Sequence, residues 1–267
     1  MLGEDHRERR TGPRKIYAAD VGSTTVVFGW QLAVAAVVAT LLAALAARWA
    51  GLGTDKATVT AALRATAQLA AVSLLIGAII GSVLLSAAFV LLMVLVAGGT
   101  GARRMTRARN GWWALLAVAL PLPLVAMLVA AGVVPPTGLA IVPTAGILIG
   151  GAMTATVLAG RRALDELATR RGEVEAALSL GLLPRDAAVE IARPTAAQAL
   201  SPALDQTRTV GLVTLPGAFV GMLLGGASPV QAGAVQLLVL ILLLLVETVA
   251  VAVVIELVCR SMITRPA

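Results

Sequence analysis

Long apolar runs, each about the length of a bilayer crossing, alternate with short charged segments along this chain of 267 residues. A helix needs about 20 apolar residues to cross the hydrocarbon core of a membrane, so uncharged windows of that length indicate membrane helices. The pattern predicts an all-α polytopic membrane protein with seven such helices, in one domain over residues 26–259. They cover residues 26–47, 65–80, 83–98, 112–132, 138–159, 209–225 and 230–258.

The second and third of these helices come from one uncharged window, residues 65–102. At about 1.5 Å of rise per residue, a single helix of that length would be far longer than a bilayer is thick. Gly81 and Ser82 lie near its middle and predict a turn there. The window is therefore expected to fold back on itself as two short helices.

Composition agrees with this class, because 59% of the residues are hydrophobic and 13% are charged. Lysine and arginine orient membrane helices, since short loops rich in them stay in the cytoplasm. Most of them fall on one side of the predicted membrane: Arg48, Lys56, Arg64, Arg103, Arg104, Arg107, Arg109, Arg161, Arg162, Arg170, Arg171, Arg185, Arg193, Arg208, Arg260 and Arg265. We therefore expect the polar segment 160–207 and the C-terminal tail 260–267 in the cytoplasm, in a multi-pass protein of the cell membrane.

The N-terminal tail, residues 1–25, fits this scheme less well. It carries five basic residues, Arg7, Arg9, Arg10, Arg14 and Lys15, yet an odd number of crossings places it outside. A first apolar stretch that does not cross, or a cleaved signal peptide, would be alternatives, but the tail is long and polar for a leader. The other loops favour an external N-terminus. The topology also accounts for the basic residues without a nucleic-acid partner.

The polar segment itself has a helix, turn, helix pattern. Leu164, Leu167, Val174 and Leu178 recur at helical spacing and predict an amphipathic helix. Gly181 is placed to end it, and Pro184 to start a second short helix carrying Ala187, Val189 and Ile191 before Pro194. The small apolar face of this second helix suits a groove on a soluble partner. A solvated hairpin beside the membrane is the simpler alternative.

The spacing within this segment resembles the coupling loop of ABC transporter permeases, the part of the permease that an ATPase subunit binds. The residues that carry the resemblance are Glu175, Ala176, Ala177, Gly181, Ile191 and Pro194. Further motifs are similar to the FetB family, formerly uncharacterised protein family 0014. They are the run 144–150 after Pro143, the run 211–217 with Gly221 and 225–229, Arg64 with Gln68 and Leu69, and Gln236.

The resemblance implies a homodimeric permease subunit that exports an iron-like metal ion or a small solute. A separate ATP-binding subunit would dock on residues 175–194 and hold ATP and Mg²⁺. The chain itself has no Gly-rich phosphate loop ending in Lys and Ser or Thr, because neither Lys15 nor Lys56 follows one. We expect no enzyme activity and no cofactor bound by this chain. The alternatives are export of a nucleotide sugar or another organic solute, and a membrane scaffold that recruits a partner without transport.

Gly, Pro and polar residues inside the apolar runs are the candidates for the translocation path. They are Gln68, Pro143, Gly146, Gly150, Met153, Thr214, Pro216, Gly217, Gly221, Met222, Gln236 and Glu247. Gly and Pro permit a broken helix that lines a cavity, but regularly spaced Gly also permits tight helix packing.

Glu247 is the most notable of these residues, because no basic residue in a predicted span can pair with it. It could attract cations from a wet cavity, be protonated against a neighbouring helix, or lie at a shallower depth. Cys259 and His6 form no recognisable ligand set, so metal ligands stay unknown. Where the FetB family has Met, Asn and a Met pair, this chain has Ile147, Gly151 and Ala218-Phe219, which leaves Met153 and Met222 as thioether candidates.

Overall fold

A computed structural model describes residues 29–265 of the chain. The predicted N-terminal tail, the first residues of the predicted helix 26–47 and the last two residues of the predicted C-terminal tail lie outside this range. The described residues belong to two units, one ending at Leu74 and the other starting at Leu75.

The first unit contains α1, Trp30–Trp49, and most of α2, Asp55–Ile80. Gly51 and Gly53 turn the chain between them, both at φ 65°, in the left-handed region that glycine adopts without steric cost. The second helix begins at Asp55 and not at the predicted residue 65. The reason is that no Gly or Pro interrupts residues 55–64, and an acidic side chain in the first turn favours the helix N-terminus.

The second unit holds the remaining helices. They are α3 (Val83–Met105), α4 (Ala114–Val118), α5 (Pro121–Ala130), α6 (Gly138–Thr169), α7 (Arg171–Ser179), α8 (Pro184–Ala197), α9 (Ser201–Thr209), α10 (Gly217–Leu224) and α11 (Pro229–Cys259). Two short 3₁₀ helices, Arg109–Trp113 and Gln198–Leu200, precede α4 and α9. The predicted turn at Gly81 and Ser82 is confirmed, because α2 ends at Ile80 and the Ser82 side chain accepts the Leu85 N–H.

Six helical segments among the described residues are long and apolar enough to cross a membrane: Trp30–Trp49, Asp55–Gly77, Val83–Met105, Arg109–Ala130, Gly138–Thr169 and Pro229–Cys259. The described residues contain no β-strand longer than a single bridge between Val210 and Thr214. The predicted class, an all-α polytopic membrane protein, is confirmed. The orientation of the chain across the membrane stays a prediction.

Within the second unit, α3, α6 and α11 lie side by side and run in the same direction. The packing of glycines fixes this direction, because Gly138 of α6 lies against Ser86 of α3, and Gly160 lies against Met105. On the other side of α6, Gly151 packs on Glu247 of α11, and Gly160 on Val254. Both contact series rise together along the chain, so the helices are parallel.

A parallel α6 and α11 require the intervening chain to return along their length. The single helix predicted over residues 209–225 for this crossing is wrong. The return is made by α9, an irregular stretch from Val210 to Pro216, and α10, which has only eight residues. Gly211 at φ 86° and Pro216 interrupt the helix, because neither supports continuous helical hydrogen bonding.

Two apolar clusters hold the second unit together. One lies among α3, α5, α6 and α11, with Val94, Leu148 and Val246 almost completely buried. The other joins the ends of α6 and α11 to α8, with Ala159, Ala192 and Val254 at its centre. The second cluster fixes α8 to the ends of two candidate membrane helices.

Candidate functional site

The polar segment begins at a break in the helix at Arg170. The helix α6 continues to Thr169, well beyond the predicted end at residue 159, and Arg170 then leaves helical geometry at φ −103° and ψ 33°. The apolar stripe predicted along one helix is therefore divided, with Leu164 and Leu167 on α6, and Val174 and Leu178 on α7.

The side chain of Arg170 also forms hydrogen bonds to both helices at this break. Its guanidinium donates to Glu166 at 3.1 Å and to Oε1 of Glu173 at 2.6 Å. The hydrogen bonds from Arg170 lower the pKa of Glu173 below its usual value. An exposed ion-pair network thus connects the end of α6 with the start of α7.

Gly181 ends α7, as the sequence predicts. It has φ 89°, its N–H donates to the carbonyl of Leu178, and the N–H of Leu182 donates to the carbonyl of Ala177 at 3.2 Å. Hydrogen bonds of this kind around a left-handed glycine form the Schellman motif. Pro184 then occupies the first turn of α8, also as expected.

The small apolar face of α8 is turned inward, contrary to the expectation that it meets a partner. Ala187, Val189 and Ile191 are buried, and the helix packs on α6 and α11. The helix also runs through Pro194 to Ala197 and does not stop before the proline. Because Ala has almost no side chain, α8 approaches its neighbours closely, and Ile191 fixes the segment to the membrane helices.

The exposed surface is instead α7 and the turn after it. We call the patch formed by Glu175, Ala176, Leu180, Leu182 and Leu183 the α7 surface. No residue of α7 is buried, while Leu180 is 83% exposed and Leu183 is 67% exposed. Leucines exposed to this extent on a polar segment are typical of a surface that another protein covers.

An ion-pair clamp joins the start of α8 to the end of α11. Nε and Nη2 of Arg185 donate to the two carboxylate oxygens of Glu256 at 2.9 Å and 2.7 Å, and Arg260 donates to Glu256 at 2.5 Å. The hydrogen bonds from Arg185 to Glu256 and to Asp186 raise the pKa of Arg185 above its usual value, so Arg185 stays positively charged. A bidentate pair of this kind fixes orientation as well as distance.

Glu247 lies in the interior of the second unit, where α11 meets α6. Its side chain is 9% exposed, and within the described residues it has no hydrogen-bond or salt-bridge partner. A Cβ added to Gly151 would lie 2.7 Å from its Oε1 atom. Gly151 therefore provides the space that the carboxylate occupies.

The interrupted return crossing forms a cavity against α11. The cavity has a volume of about 190 Å³, and Gly211, Pro216, Phe219 and Gln236 are among its lining residues. The side chain of Gln236 is 6% exposed, and its Oε1 atom is buried without a partner among the described residues. The structure thus brings together Pro216 and Gln236, which the sequence singled out separately.

Gln236 and Glu247 also share one face of α11. They are 11 residues apart, which is close to three full turns of an α-helix. The buried Leu240 and Leu243 lie between them. The face therefore carries two polar positions separated by buried apolar side chains.

The other predicted path residues are dispersed. Gly146 packs on Met93 of α3, and Met153 lies beside Gly101, so both serve the contact between α3 and α6. Pro143 and Thr214 are exposed, Gly150 has open space beside it, and Met222 is half-buried on α10. Gln68 belongs to the first unit and is exposed.

Sequence reasoning missed the Arg185 and Glu256 clamp and the role of Gly151. The clamp joins residues that are 71 positions apart, so no local spacing reveals it. Gly151 follows Gly150 directly, and a pair of glycines in a predicted span is a usable signal of close helix approach.

These features define a class of protein: a multi-pass all-α membrane protein with a helical segment fixed to the ends of its longest helices. The chain belongs to the uncharacterised protein family UPF0014, which matches it over residues 29–263. The expected location in the cell membrane is confirmed by this family and by the six apolar helices.

Several curated proteins are similar to the chain. The UPF0014 membrane protein STAR2 of Oryza sativa is 40% identical over stretches covering 58% of this chain and 56% of that protein. The protein ALUMINUM SENSITIVE 3 of Arabidopsis thaliana is 38% identical over 56% of each. The probable iron export permease protein FetB of Escherichia coli is 32% identical over 43% of this chain and 44% of that protein.

The matched stretches thus span about half the length of these curated relatives. No solved structure matches the chain.

Proposed function

We propose that this chain is the membrane-spanning permease subunit of an ABC transporter, driven by a separate ATP-binding subunit. The observation that carries the proposal is the pairing of an exposed α7 surface with an α8 that is packed and clamped to the membrane helices. A partner that moved α7 would move the ends of α6 and α11 with it, since packed elements transmit displacement. The probable iron export permease among the relatives supports transport as the activity.

The ATPase is proposed to meet the α7 surface, not the face of α8. Glu175 and Ala176 are exposed on α7, and Leu180 and Leu183 extend the same patch on either side of Gly181. Ile191 then acts from the inside, by holding α8 against its neighbours. The six residues of the coupling resemblance are thereby divided between an outer contact and an inner support.

A metal cation is the proposed substrate. Glu247 places an acidic group within a candidate membrane span, and Gln236 adds a buried carbonyl oxygen without a donor. The described residues hold no group of three or more His, Cys, Asp and Glu side chains. A cation would thus be held by few protein atoms. Weak binding of this kind is compatible with transport of the cation and not with its stable retention.

A second copy of the chain is the proposed partner within the membrane. The carbonyls of Gly211, Leu212 and Val213 accept no backbone hydrogen bond from the described residues, while Leu212 is 94% exposed. Lipid offers no donors to such carbonyls, so irregular backbone at membrane depth needs protein or water around it. A homodimer that encloses the interrupted crossing meets this need.

The proposal can be tested by disrupting the α7 surface. The chain and its candidate ATPase are co-expressed, and association and cation flux into proteoliposomes are measured for Leu180→Asp and Leu183→Asp. Each change should weaken association by about tenfold, because it places a charge at the centre of an apolar contact. Leu52→Asp is the matched control, since Leu52 is 65% exposed in the turn before α2.

Full association and flux in both α7 variants would contradict the docking surface. An ATPase complex whose hydrolysis and flux respond to no metal cation would contradict cation transport. In that case, stimulation by a sugar nucleotide would favour organic export, and no stimulation by any solute would favour the scaffold.

A further inference from the structure

Five arginines line one cavity beside the end of α3 and the last third of α6. Arg103, Arg104, Arg107, Arg161 and Arg265 line a space of about 480 Å³, which we call the arginine pocket. It lies at the same end of the second unit as α7 and α8, but shares no residue with the α7 surface.

The pocket has far more positive than negative charge. Arg265 pairs with Asp165, but the other four arginines have no carboxylate partner within the described residues. Arginines that line one cavity without counter-ions repel one another, more strongly beside the low dielectric of a membrane. An anion in the cavity would relieve this repulsion.

The C-terminal residues that supply Arg265 are held in place. Oγ1 of Thr106 donates to the backbone carbonyl of Thr264 at 2.7 Å, and the side-chain amide of Asn110 donates to Oγ1 of Thr264 at 2.9 Å. Ile263, two residues before Arg265, is 1% exposed. The fifth arginine is therefore brought to the pocket by a built contact across more than 150 positions of the chain.

The depth of the pocket in the membrane follows from the uncharged runs. Residues 83–102 of α3 contain no charge, and at about 1.5 Å per residue this run spans roughly 30 Å, the thickness of a hydrocarbon core. Arg103 follows directly. In α6, Arg161 likewise follows the uncharged residues 138–160. Both arginines therefore lie at the level where phospholipid phosphates are found.

We propose that the arginine pocket binds the phosphate of an anionic phospholipid headgroup. Guanidinium groups recognise phosphate oxygens through paired hydrogen bonds, which an ammonium group cannot reproduce. Basic pockets between membrane helices bind such headgroups by this chemistry. The general preference for arginine in cytoplasmic loops explains the number of arginines, but not their convergence on one cavity.

The test compares two triple variants with the same loss of charge. Arg104→Gln, Arg107→Gln and Arg161→Gln together remove charge from the pocket. Arg48→Gln, Lys56→Gln and Arg64→Gln remove as much from the first unit. The purified full chain is placed in nanodiscs of phosphatidylcholine, with or without phosphatidylglycerol. Retained lipid is counted by native mass spectrometry, and thermal stability is measured in parallel.

Wild type and the first-unit variant should retain phosphatidylglycerol in preference to phosphatidylcholine. In the pocket variant, the preference for phosphatidylglycerol should be at least about tenfold lower, since each basic residue near an anionic surface contributes to it. Equal losses in both variants would overturn the proposal in favour of general surface charge. If the pocket variant does not fold, Arg161→Gln and Arg161→Lys replace it, and the lysine should restore only part of the preference.

A further arm separates a lipid phosphate from a free one. Inorganic phosphate is added to wild type in phosphatidylcholine alone, and to the complex with phosphatidylglycerol. Millimolar phosphate should neither raise thermal stability nor displace the lipid. Stabilisation or displacement by phosphate would overturn the lipid assignment and identify a soluble anion as the ligand.

Discussion

Two regions of this protein share a composition of Gly and Pro but use it in opposite ways. In α6, Pro143 lies within a continuous helix, and Gly138, Gly151 and Gly160 are sites where a neighbour approaches so closely that a Cβ would collide with it. In the return crossing, Gly211 and Pro216 interrupt the helix. Similar residues thus build a tightly packed element in one place and a broken one in the other.

The difference lies in what surrounds the glycines. Gly138, Gly151 and Gly160 of α6 lie against neighbouring helices, so their missing side chains become contact area. Gly217 and Gly221 of α10 have open space beside them, so their missing side chains leave the backbone accessible. Packing, and not residue type, decides whether a glycine in a membrane helix contributes to a helix contact or leaves the backbone accessible.

The largest expected effect is on the α6 side of this comparison. Gly138→Ala should destabilise the protein by about 1–3 kcal/mol, the usual range for overpacking. Its Cβ would meet the backbone of Ile80 at 2.8 Å, and backbone moves less easily than a side chain. Thermal unfolding in detergent measures the change.

Gly221→Ala is the matched control, because the added methyl group meets open space. It should be neutral or stabilising by up to about 1 kcal/mol, the difference in helix propensity between Ala and Gly. Equal destabilisation by both substitutions would remove the distinction between the two regions.

The next effect separates two adjacent glycines. Gly151→Ala places a methyl group against the side chain of Leu243 and the Glu247 carboxylate, whereas Gly150→Ala meets nothing within 4 Å. We expect about 1 kcal/mol of destabilisation and reduced cation flux for Gly151→Ala, near the lower limit for overpacking. Gly150→Ala should keep both properties. A flux defect shared by both variants would show that Glu247 is not the affected group.

A smaller effect is expected from the two prolines. Pro216→Ala removes a fixed φ immediately before α10 and should cost about 0.4–1 kcal/mol through greater freedom of the unfolded chain. Pro216→Ala should also lower solute flux. Pro143→Ala should keep flux, because α6 is already continuous there. Proteoliposome transport assays distinguish the two, and a loss confined to Pro143→Ala would reverse the roles assigned to the two regions.

The smallest effect concerns acid conditions at the break between α6 and α7. The lowered pKa of Glu173 means that its pair with Arg170 is intact above the usual carboxylate pKa and is lost as the pH falls through the lowered value. Amide hydrogen exchange in α7, corrected for intrinsic rates, should therefore speed up below about pH 4. Glu173→Gln should abolish this dependence on pH, whereas Glu190→Gln, exposed on α8, should retain it.

The long helices were predictable from the sequence, because uncharged windows report directly on bilayer thickness. Residues 230–258 were predicted as a helix, and α11 covers Pro229–Cys259. The turn at Gly81 and the cap at Gly181 were predictable for a similar reason, since backbone geometry there depends on the local residue.

Long-range packing was not predictable in the same way. The inward face of α8 looks the same in sequence as a docking face, since both require small apolar residues at helical spacing. Only the presence of α6 and α11 decides between them. The break at residues 210–216 was predictable only in part, because Gly and Pro there permit a broken helix or tight helix packing, and the apolar residues match those of a continuous membrane helix.

The clamp between Arg185 and Glu256 connects α11 to α8, which lies outside the apolar layer. Glu247 lies nine residues before Glu256 on the same unbroken helix, which is roughly 14 Å at the usual rise. Under the proposed function, a displacement of α8 would therefore reach the buried carboxylate as a rigid-body movement of α11. That movement would connect the outer segment with the interior through packed helices alone.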